Sequence, residues 1–308
     1  MKRGLVLSAV VVIGWLSIAL SGFQAPQQPT GPTPGALAAT KIEKVKENLY
    51  MITGSTTVPR ENFSGGNTAV FITAAGVVVV DTKLVGWGPT IIERIRTVTD
   101  KPVVTLINTH THGDHTGSNE AFGTNVESIV QENAKTNMER MDAFKGEKAV
   151  YLPKKTYKEK LTVGSGKDAI DLYYFGRGHT SGDTFVVFRA LRVMHAGDMF
   201  PWKDAPFIDR NNGGSGSEWP KTIAKVLKNV KGVDSVIGGH QPLASWKDLE
   251  TFQKFTADLF KTTQRAMKAG KSVDDAVVGM NWGAKYPGYE STRLKAAVQA
   301  IYDELAGK

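Results

Sequence analysis

Thr109-His110-Thr111-His112-Gly113-Asp114-His115 follows the apolar run Val103-Val104-Thr105-Leu106-Ile107. The run reads as a buried β-strand, and the loop after it gathers three imidazoles and a carboxylate within residues 110–115. Period-two alternation sends His110 and His112 to one side of an extended loop, while Asp114 and His115 can reach a second position. Neutral imidazole and carboxylate suit zinc, manganese or iron, so one loop can serve two metals.

Upstream, residues 76–81 (GVVVVD) form another buried strand ending at Asp81. Shorter strands are expected at 49–53 and 69–72, around a glycine-bearing loop at 54–66 that could be a flap over a site or a plain hairpin connection. Residues 89–98 place Ile91, Ile92 and Ile95 at helical spacing. Downstream, a helix is expected from about Ser118, another over 132–144, strands within 151–175, and short strands at 185–188 and 192–194. A helix over 220–230 with Ser217 as its cap, a strand at 235–237 and a final helix striped by Leu294, Val298, Ile301 and Leu305 complete the pattern. Strands interspersed with helices predict a layered α/β fold.

The chain has six histidines, and five fall in polar, glycine-flanked loops at the ends of these strands. Beyond the first three they are His179 in Gly-Arg-Gly-His-Thr and His240 in Gly-Gly-His; Asp198, in Ala-Gly-Asp, joins them. Loops at strand ends are where α/β sheets carry their chemistry. A lone histidine is ordinarily a hydrogen-bonded structural residue, whereas this clustering points to metal. His195 is the exception. If its strand continues to Asp198, the odd spacing turns the two side chains to opposite faces and makes His195 structural.

Composition bounds the chemistry. With 41% hydrophobic and 22% charged residues in 308, the chain is globular and long enough for one large core. It has no cysteine, which removes disulfides, thiolate zinc sites and a cysteine nucleophile. The net charge of +8 falls to +6 without Lys2 and Arg3 and is spread without a basic run, so no nucleic-acid partner is expected. Met1-Lys2-Arg3, the apolar run 4–20 and the small residues after it read as a signal peptide over 1–21 for export to the periplasm or the medium, with cleavage after Ser21. An uncleaved anchor is the alternative, because the run approaches the roughly 17 residues that span a bilayer; no other membrane contact is expected. Residues 22–40, rich in Pro, Gln and Gly, read as a flexible tether, and 41–308 as one domain with C-terminal helices.

Taken in order, THTHGDH, GRGHTSGD, AGD and GGH resemble the metallo-β-lactamase superfamily over about residues 42–260. The resemblance implies a four-layer αββα sandwich of the α/β (α+β) class, with metals at one edge between the sheets. It implies two zinc ions, with iron or manganese as alternatives: His110, His112 and His179 on the first, Asp114, His115 and His240 on the second, and Asp198 bridging. Asp81 matches the acidic residue that orients the HxHxDH loop. A pair of such ions activates water at neutral pH without Ser or Cys, and Asp114 is then placed to orient the nucleophile and carry its proton. The implied activity is hydrolysis of an ester, lactone, thioester or amide in a small molecule, with β-lactams among the candidates.

Residues 211–221 (NNGGSGSEWPK) resemble the stretch in cysteine-bearing metallo-β-lactamases where an Asn polarises the lactam carbonyl, which makes Asn211 or Asn212 a candidate substrate contact. The chain departs from that subclass in carrying Asp198 for its Cys and Pro201 for its carboxylate-binding Lys; the nearest Lys is Lys203. Asp198 is instead similar to the bridging residue of glyoxalase II, lactonases and phosphodiesterases. Phe200, Trp202 and Phe207 follow closely and could wall an apolar cleft or belong to the core. Trp282 and Tyr286 are expected in packing or oligomer contacts, and the oligomeric state stays open. Sulfur dioxygenases of the same superfamily, with one iron on two His and one Asp, are the second enzymatic alternative, and a non-enzymatic metal-binding protein the third. Flavodiiron relatives are disfavoured because they resemble a pattern with Glu where this chain has His112, and RNA-processing members because 179–240 is too short for their inserted domain.

Overall fold

The computed structural model describes residues 32–54 and 59–308. The signal peptide, most of the tether and residues 55–58 of the 54–66 loop lie outside the described residues. The tether expectation reached Thr40, but Pro34–Ala39 forms a short helix, α1, capped by the Thr33 hydroxyl and burying Ala36.

Seven strands form the first sheet in chain order: β1 (Ile42–Lys46), β2 (Leu49–Ile52), β3 (Thr68–Ile72), β4 (Val77–Val80), β5 (Val103–Ile107), β6 (Glu127–Gln131) and β7 (Lys155–Tyr157). β1 to β4 pair antiparallel and β4 to β7 parallel. The parallel crossover from β4 to β5 needs a helix, supplied by α2 (Gly88–Arg96). β4 is buried on both sides, which explains its unbroken Val run: Val78 and Val80 face the second sheet, while Val77 and Val79 pack with Ile91 and Ile95 of α2.

The second sheet, in the order β13-β12-β11-β10-β9-β8, comprises β8 (Lys160–Val163), β9 (Ile170–Tyr173), β10 (Phe185–Phe188), β11 (Val193–Gly197), β12 (Ser235–Gly238) and β13 (Ala244–Ser245). Between the sheets, Leu49, Phe71 and Ile107 meet Leu172, Phe188 and Ile237 in one cluster. Two further helices stay near the first sheet: the single turn α3 (Gly113–Thr116) and α4 (Glu132–Met138). The outer face of the second sheet, with Phe185, Met194 and Val236, is covered by α5 (Trp219–Asn229), α6 (Trp246–Lys268), α7 (Val273–Val278) and α8 (Leu294–Leu305). The result is the four-layer αββα sandwich that the resemblance implied. No helix among the described residues is long and apolar enough to cross a membrane.

Several local expectations change. From Ser118 only a 3-10 turn forms, Asn119–Phe122. The helix begun at Glu132 stops at Met138, because Phe144 turns back onto Val130, Ala134 and Met138. Ser217 does not cap α5: Glu218 is the N-cap residue, and the Ser217 hydroxyl donates to Glu304 instead.

Candidate metal centre

Five strand ends converge at one edge of the sandwich. β4 delivers Asp81, β5 the 109–115 loop, the β9–β10 connection His179, β11 Asp198 and β12 His240. Asp81 is fully buried at a left-handed φ of 65°, a conformation Asp tolerates better than most residues. From there Oδ1 accepts the Thr109 N–H (2.8 Å), and Oδ2 accepts the Thr109 hydroxyl (2.7 Å) and His115 Nδ1–H (2.7 Å). One carboxylate thereby clamps both ends of the histidine loop.

His110, His112, His179 and Asp198 bring one donor atom each within 4.8 Å of one another, and so do Asp114, His115 and His240. In the first group His112 Nδ1 lies 3.2 Å from His110 Nε2 and 2.8 Å from His179 Nε2, and Asp198 Oδ2 lies 3.5 Å from His179 Nε2. In the second, His240 Nε2 lies 3.2 Å from His115 Nε2 and 3.3 Å from Asp114 Oδ2. Asp198 Oδ1 sits 3.3 Å from both His115 and His240 Nε2, so the two oxygens of Asp198 face the two groups.

The outer nitrogens of four of these rings are committed elsewhere, while His240 Nδ1 is buried without a hydrogen-bond partner. His110 Nδ1 meets the Thr109 hydroxyl (3.0 Å), whose proton goes to Asp81; His112 Nε2 meets Asp209 Oδ2 (2.6 Å), His115 Nδ1 meets Asp81, and His179 Nδ1 meets the Phe207 carbonyl (2.7 Å). With a proton on each of those four outer nitrogens, the inner nitrogens of His110, His112, His115 and His179 are lone pairs pointing at one another or at His240. Lone pairs do not bond lone pairs, and Asp198 Oδ1 is buried without a hydrogen-bond donor. A pair of cations fits this arrangement. Burial together with the neighbouring imidazoles holds His110 well below its ordinary value and His179 down to about 4, so both are neutral donors. Burial pushes the Asp198 carboxyl up, but positive charge at His240 and His115 would hold it well below its ordinary value, a part that bound cations can take over from imidazolium. The backbone leaves room for nothing larger than glycine beside these groups: a Cβ on Gly239 would fall 1.8 Å from Asp198 Oδ1, and one on Gly66 2.1 Å from the His115 ring.

His195 is buried, with Nε2 donating to the Asn67 carbonyl (3.1 Å) and Nδ1 accepting the Gly197 N–H (3.0 Å). β11 ends at Gly197 with φ 49° and does not run on to Asp198 as the odd spacing required, yet the His195 side chain is structural as expected.

The donor groups open into a cavity of about 1230 Å³ lined by Phe63, Asp114, Trp202, Phe207 and Leu243, among others. Trp202 meets the His240 ring edge-on at 5.7 Å, and Phe63 lies 5.5 Å from the same ring. The remaining substrate candidates need correction. Asn211 and Asn212 do not line the cavity: the Asn212 side chain binds Asp209 (2.6 Å) and Arg140 (3.0 Å), and the Asn211 carbonyl accepts from Arg140 (3.3 Å). Lys203 lines it, but its ammonium pairs with Asp248 at 3.2 Å. Phe200 is core, packed on Phe252, and Trp282 and Tyr286 pack around Phe255. Sequence reasoning missed Asp209, the partner of His112, because a single Asp among polar residues carries no periodic or motif signal.

The sequence model of the Metallo-beta-lactamase superfamily matches residues 62–243. A protein of Elizabethkingia meningoseptica named Metallo-beta-lactamase type 2 is 29% identical over 263 residues, covering 82% of this chain and 95% of that protein. One of the same name from Bacteroides fragilis is 26% identical over 163 residues, 53% of this chain and 63% of that protein. Among solved structures, a metallo-beta-lactamase from Pontibacter korlensis superposes with a TM-score of 0.60 at 19% identity, covering 71% of this chain and 99% of that one. DIM-1 metallo-beta-lactamase does so with a TM-score of 0.59 at 19% identity, covering 71% and 97%. With its characteristic residues gathered at one sheet edge and its family match spanning more than half its length, this chain belongs to the metallo-beta-lactamase superfamily.

Proposed function

We propose that the protein is an exported dinuclear zinc hydrolase that cleaves an ester, lactone, thioester or amide bond in a small molecule, with β-lactams the first class to test. The observation that carries this reading is the convergence of imidazole lone pairs on two points joined by the two oxygens of Asp198. On it, His110, His112 and His179 would hold one zinc and Asp114, His115 and His240 the other, with Asp198 shared between the two groups. When bound, the zinc ions supply Lewis acidity toward a carbonyl and activation of water at neutral pH. The chain supplies the rest. Asp81 and Asp209 orient the imidazoles, and Phe63, Trp202 and Phe207 offer apolar surface to the substrate body. Asp114, about a quarter exposed to the cavity with Oδ2 3.3 Å from His240, is placed to take and return a proton. The choice of β-lactams follows the names of the similar proteins, and Asp198 in place of Cys keeps esters and lactones on the same panel.

Elemental analysis of the purified protein, run beside a panel of a chromogenic cephalosporin, a lactone and a thioester, tests the proposal. Two zinc per chain and turnover lost in Asp198→Ala are expected. One iron per chain would transfer the site to sulfur oxidation, and no bound metal would leave a degenerate site. Export rests on residues 1–21, and a mature N-terminus at Gly22 is the expected product of processing.

A further inference from the structure

The chain beyond Arg3 carries a net charge of +6, and residues 221–271 alone hold ten Lys and Arg against four Asp and Glu, the same excess. A surplus that forms no run along the sequence is therefore gathered on one layer, because this segment is α5, α6 and the two strands between them. Both helices lie on the outer face of the second sheet, with Ile223 and Val226 of α5 and Leu249, Phe252 and Phe255 of α6 buried in one cluster. They meet where the Gln253 side-chain amide donates to the Pro220 carbonyl (3.2 Å). What they turn to solvent is basic. On α6, Lys247, Lys254, Lys261 and Lys268 are exposed and recur every seven residues. That spacing drifts only about 20° per step, so they form one row along roughly 30 Å of helix. On α5, Lys221, Lys225 and Lys228 are exposed in the same way.

The acids of the segment do not neutralise this face. Asp234 pairs with Arg192 (2.6 Å), Asp248 with Lys203 (3.2 Å) and Asp258 with Lys285 (2.5 Å), each a cation from outside the segment; the fourth acid, Glu250, is exposed on α6. Among the described residues, Lys221 alone of the ten cations forms an ion pair, with Glu218 at 2.8 Å. None of the ten lines the cavity, so an occupied face leaves the donor groups accessible. The chemistry of the face also selects its partner. Nine of the ten are Lys, a compact hydrated charge, whereas nucleic acid is held by the Arg fork and by stacking aromatics. The aromatic rings of both helices, Trp219, Trp246, Phe252, Phe255 and Phe260, pack in or against the core. Unpaired ammonium groups spread over a layer two helices wide fit a planar array of negative charge, where each contributes without a specific contact.

We propose that the outer face of α5 and α6 docks the protein on an anionic lipid surface, with the row Lys247, Lys254, Lys261 and Lys268 as its line of contact. The docking does not depend on the hydrolytic reading, and chelation of metal should leave it unchanged. Sedimentation of the exported protein with vesicles tests it. The protein is expected to pellet with vesicles of phosphatidylcholine containing about one-third phosphatidylglycerol and to stay in solution beside vesicles of phosphatidylcholine alone. Lys254→Gln, Lys261→Gln and Lys268→Gln together should weaken binding by about 100-fold, from about fivefold for each charge removed near the surface. As a control, Lys154→Gln, Lys158→Gln and Lys167→Gln remove the same charge from exposed positions around β7 and β8 and should change binding by less than about threefold, since charges held away from the lipid are screened. All six positions face solvent, and an unchanged far-UV spectrum checks that both variants fold. Equal binding to neutral vesicles overturns the proposal, as does equal weakening in the two triple variants, which would reduce the effect to net charge. Tighter binding to a duplex oligonucleotide than to the anionic vesicles at the same salt would assign the face to a charged polymer and overturn the lipid surface.

Discussion

Asp209 fixes His112 as firmly as Asp81 fixes His115, and neither carboxylate reaches a donor point itself. Without its partner at 2.6 Å, His112 could rotate or exchange tautomers, turning a proton toward His110 and His179. Asp209→Ala is therefore expected to weaken metal binding by about 10- to 100-fold, read by competition with a chromophoric chelator, while the far-UV spectrum stays native. Of the two supports, Asp81 was legible because it closes a valine run, whereas Asp209 reaches His112 across 97 residues of chain. Lys83 is the opposite case, a fully buried ammonium without a carboxylate partner. Its Nζ donates to the carbonyls of Thr53 (2.6 Å) and Gly66 (2.8 Å), tying the two ends of the 54–66 loop. Burial pulls it down from 10.5 to about 7, against the fields of Asp114 and Asp81. The unfolded chain then binds one more proton than the folded one between these values, so stability rises with pH across that window. The folding free energy of the wild type relative to Lys83→Met should become more favourable from about pH 7 toward 10 in urea melts at constant metal; a flat difference would remove the buried charge from the account.

At the scale of elements, strands buried on both faces announced themselves as apolar runs, and β4 and β5 lie within a residue of expectation. β6 did not, since its sequence, ESIVQ, begins and ends on polar residues although four of its five positions are buried. α3 also escaped, because one helical turn is too short to show periodicity; it nevertheless puts Asp114 and His115 on successive helical residues facing the second donor group. Of the C-terminal stripe, Leu294, Val298 and Ile301 are buried as expected while Leu305 is exposed, and what secures the helix was not read at all. Glu304 accepts from the Ser215 and Ser217 hydroxyls (2.6 Å each) and the Gly216 N–H (2.7 Å), pinning α8 to the loop that precedes α5. Glu304→Ala should cost about 1–3 kcal/mol in chemical denaturation, since it leaves three donors in a partly buried loop without their acceptor. It should also loosen Arg293, which lines the cavity just before α8.

For the molecule as a whole, the apolar clusters that hold the layers together contain none of the seven donor residues. Removing metal is therefore expected to lower the melting temperature, because ligand-linked stabilisation is lost, while the sheets persist. Calorimetry before and after chelation, with circular dichroism as the check on secondary structure, measures both effects. Collapse of the far-UV signal on chelation would mean that the metals organise the fold as well as the site. The fold class, the seven clustered donor residues as candidates and the chemistry open to a chain without cysteine could all be read from the order of amino acids alone. Each of those is local, carried by strand-length apolar runs and by donors packed into short motifs. It takes packing in three dimensions to set which nitrogen of each ring faces inward, to turn Asn211 and Asn212 away from the cavity, to pair Lys203 with Asp248, and to bring Arg293 from the far end of the chain over Trp202. Such facts depend on contacts between residues distant in sequence, where no period or spacing records who meets whom.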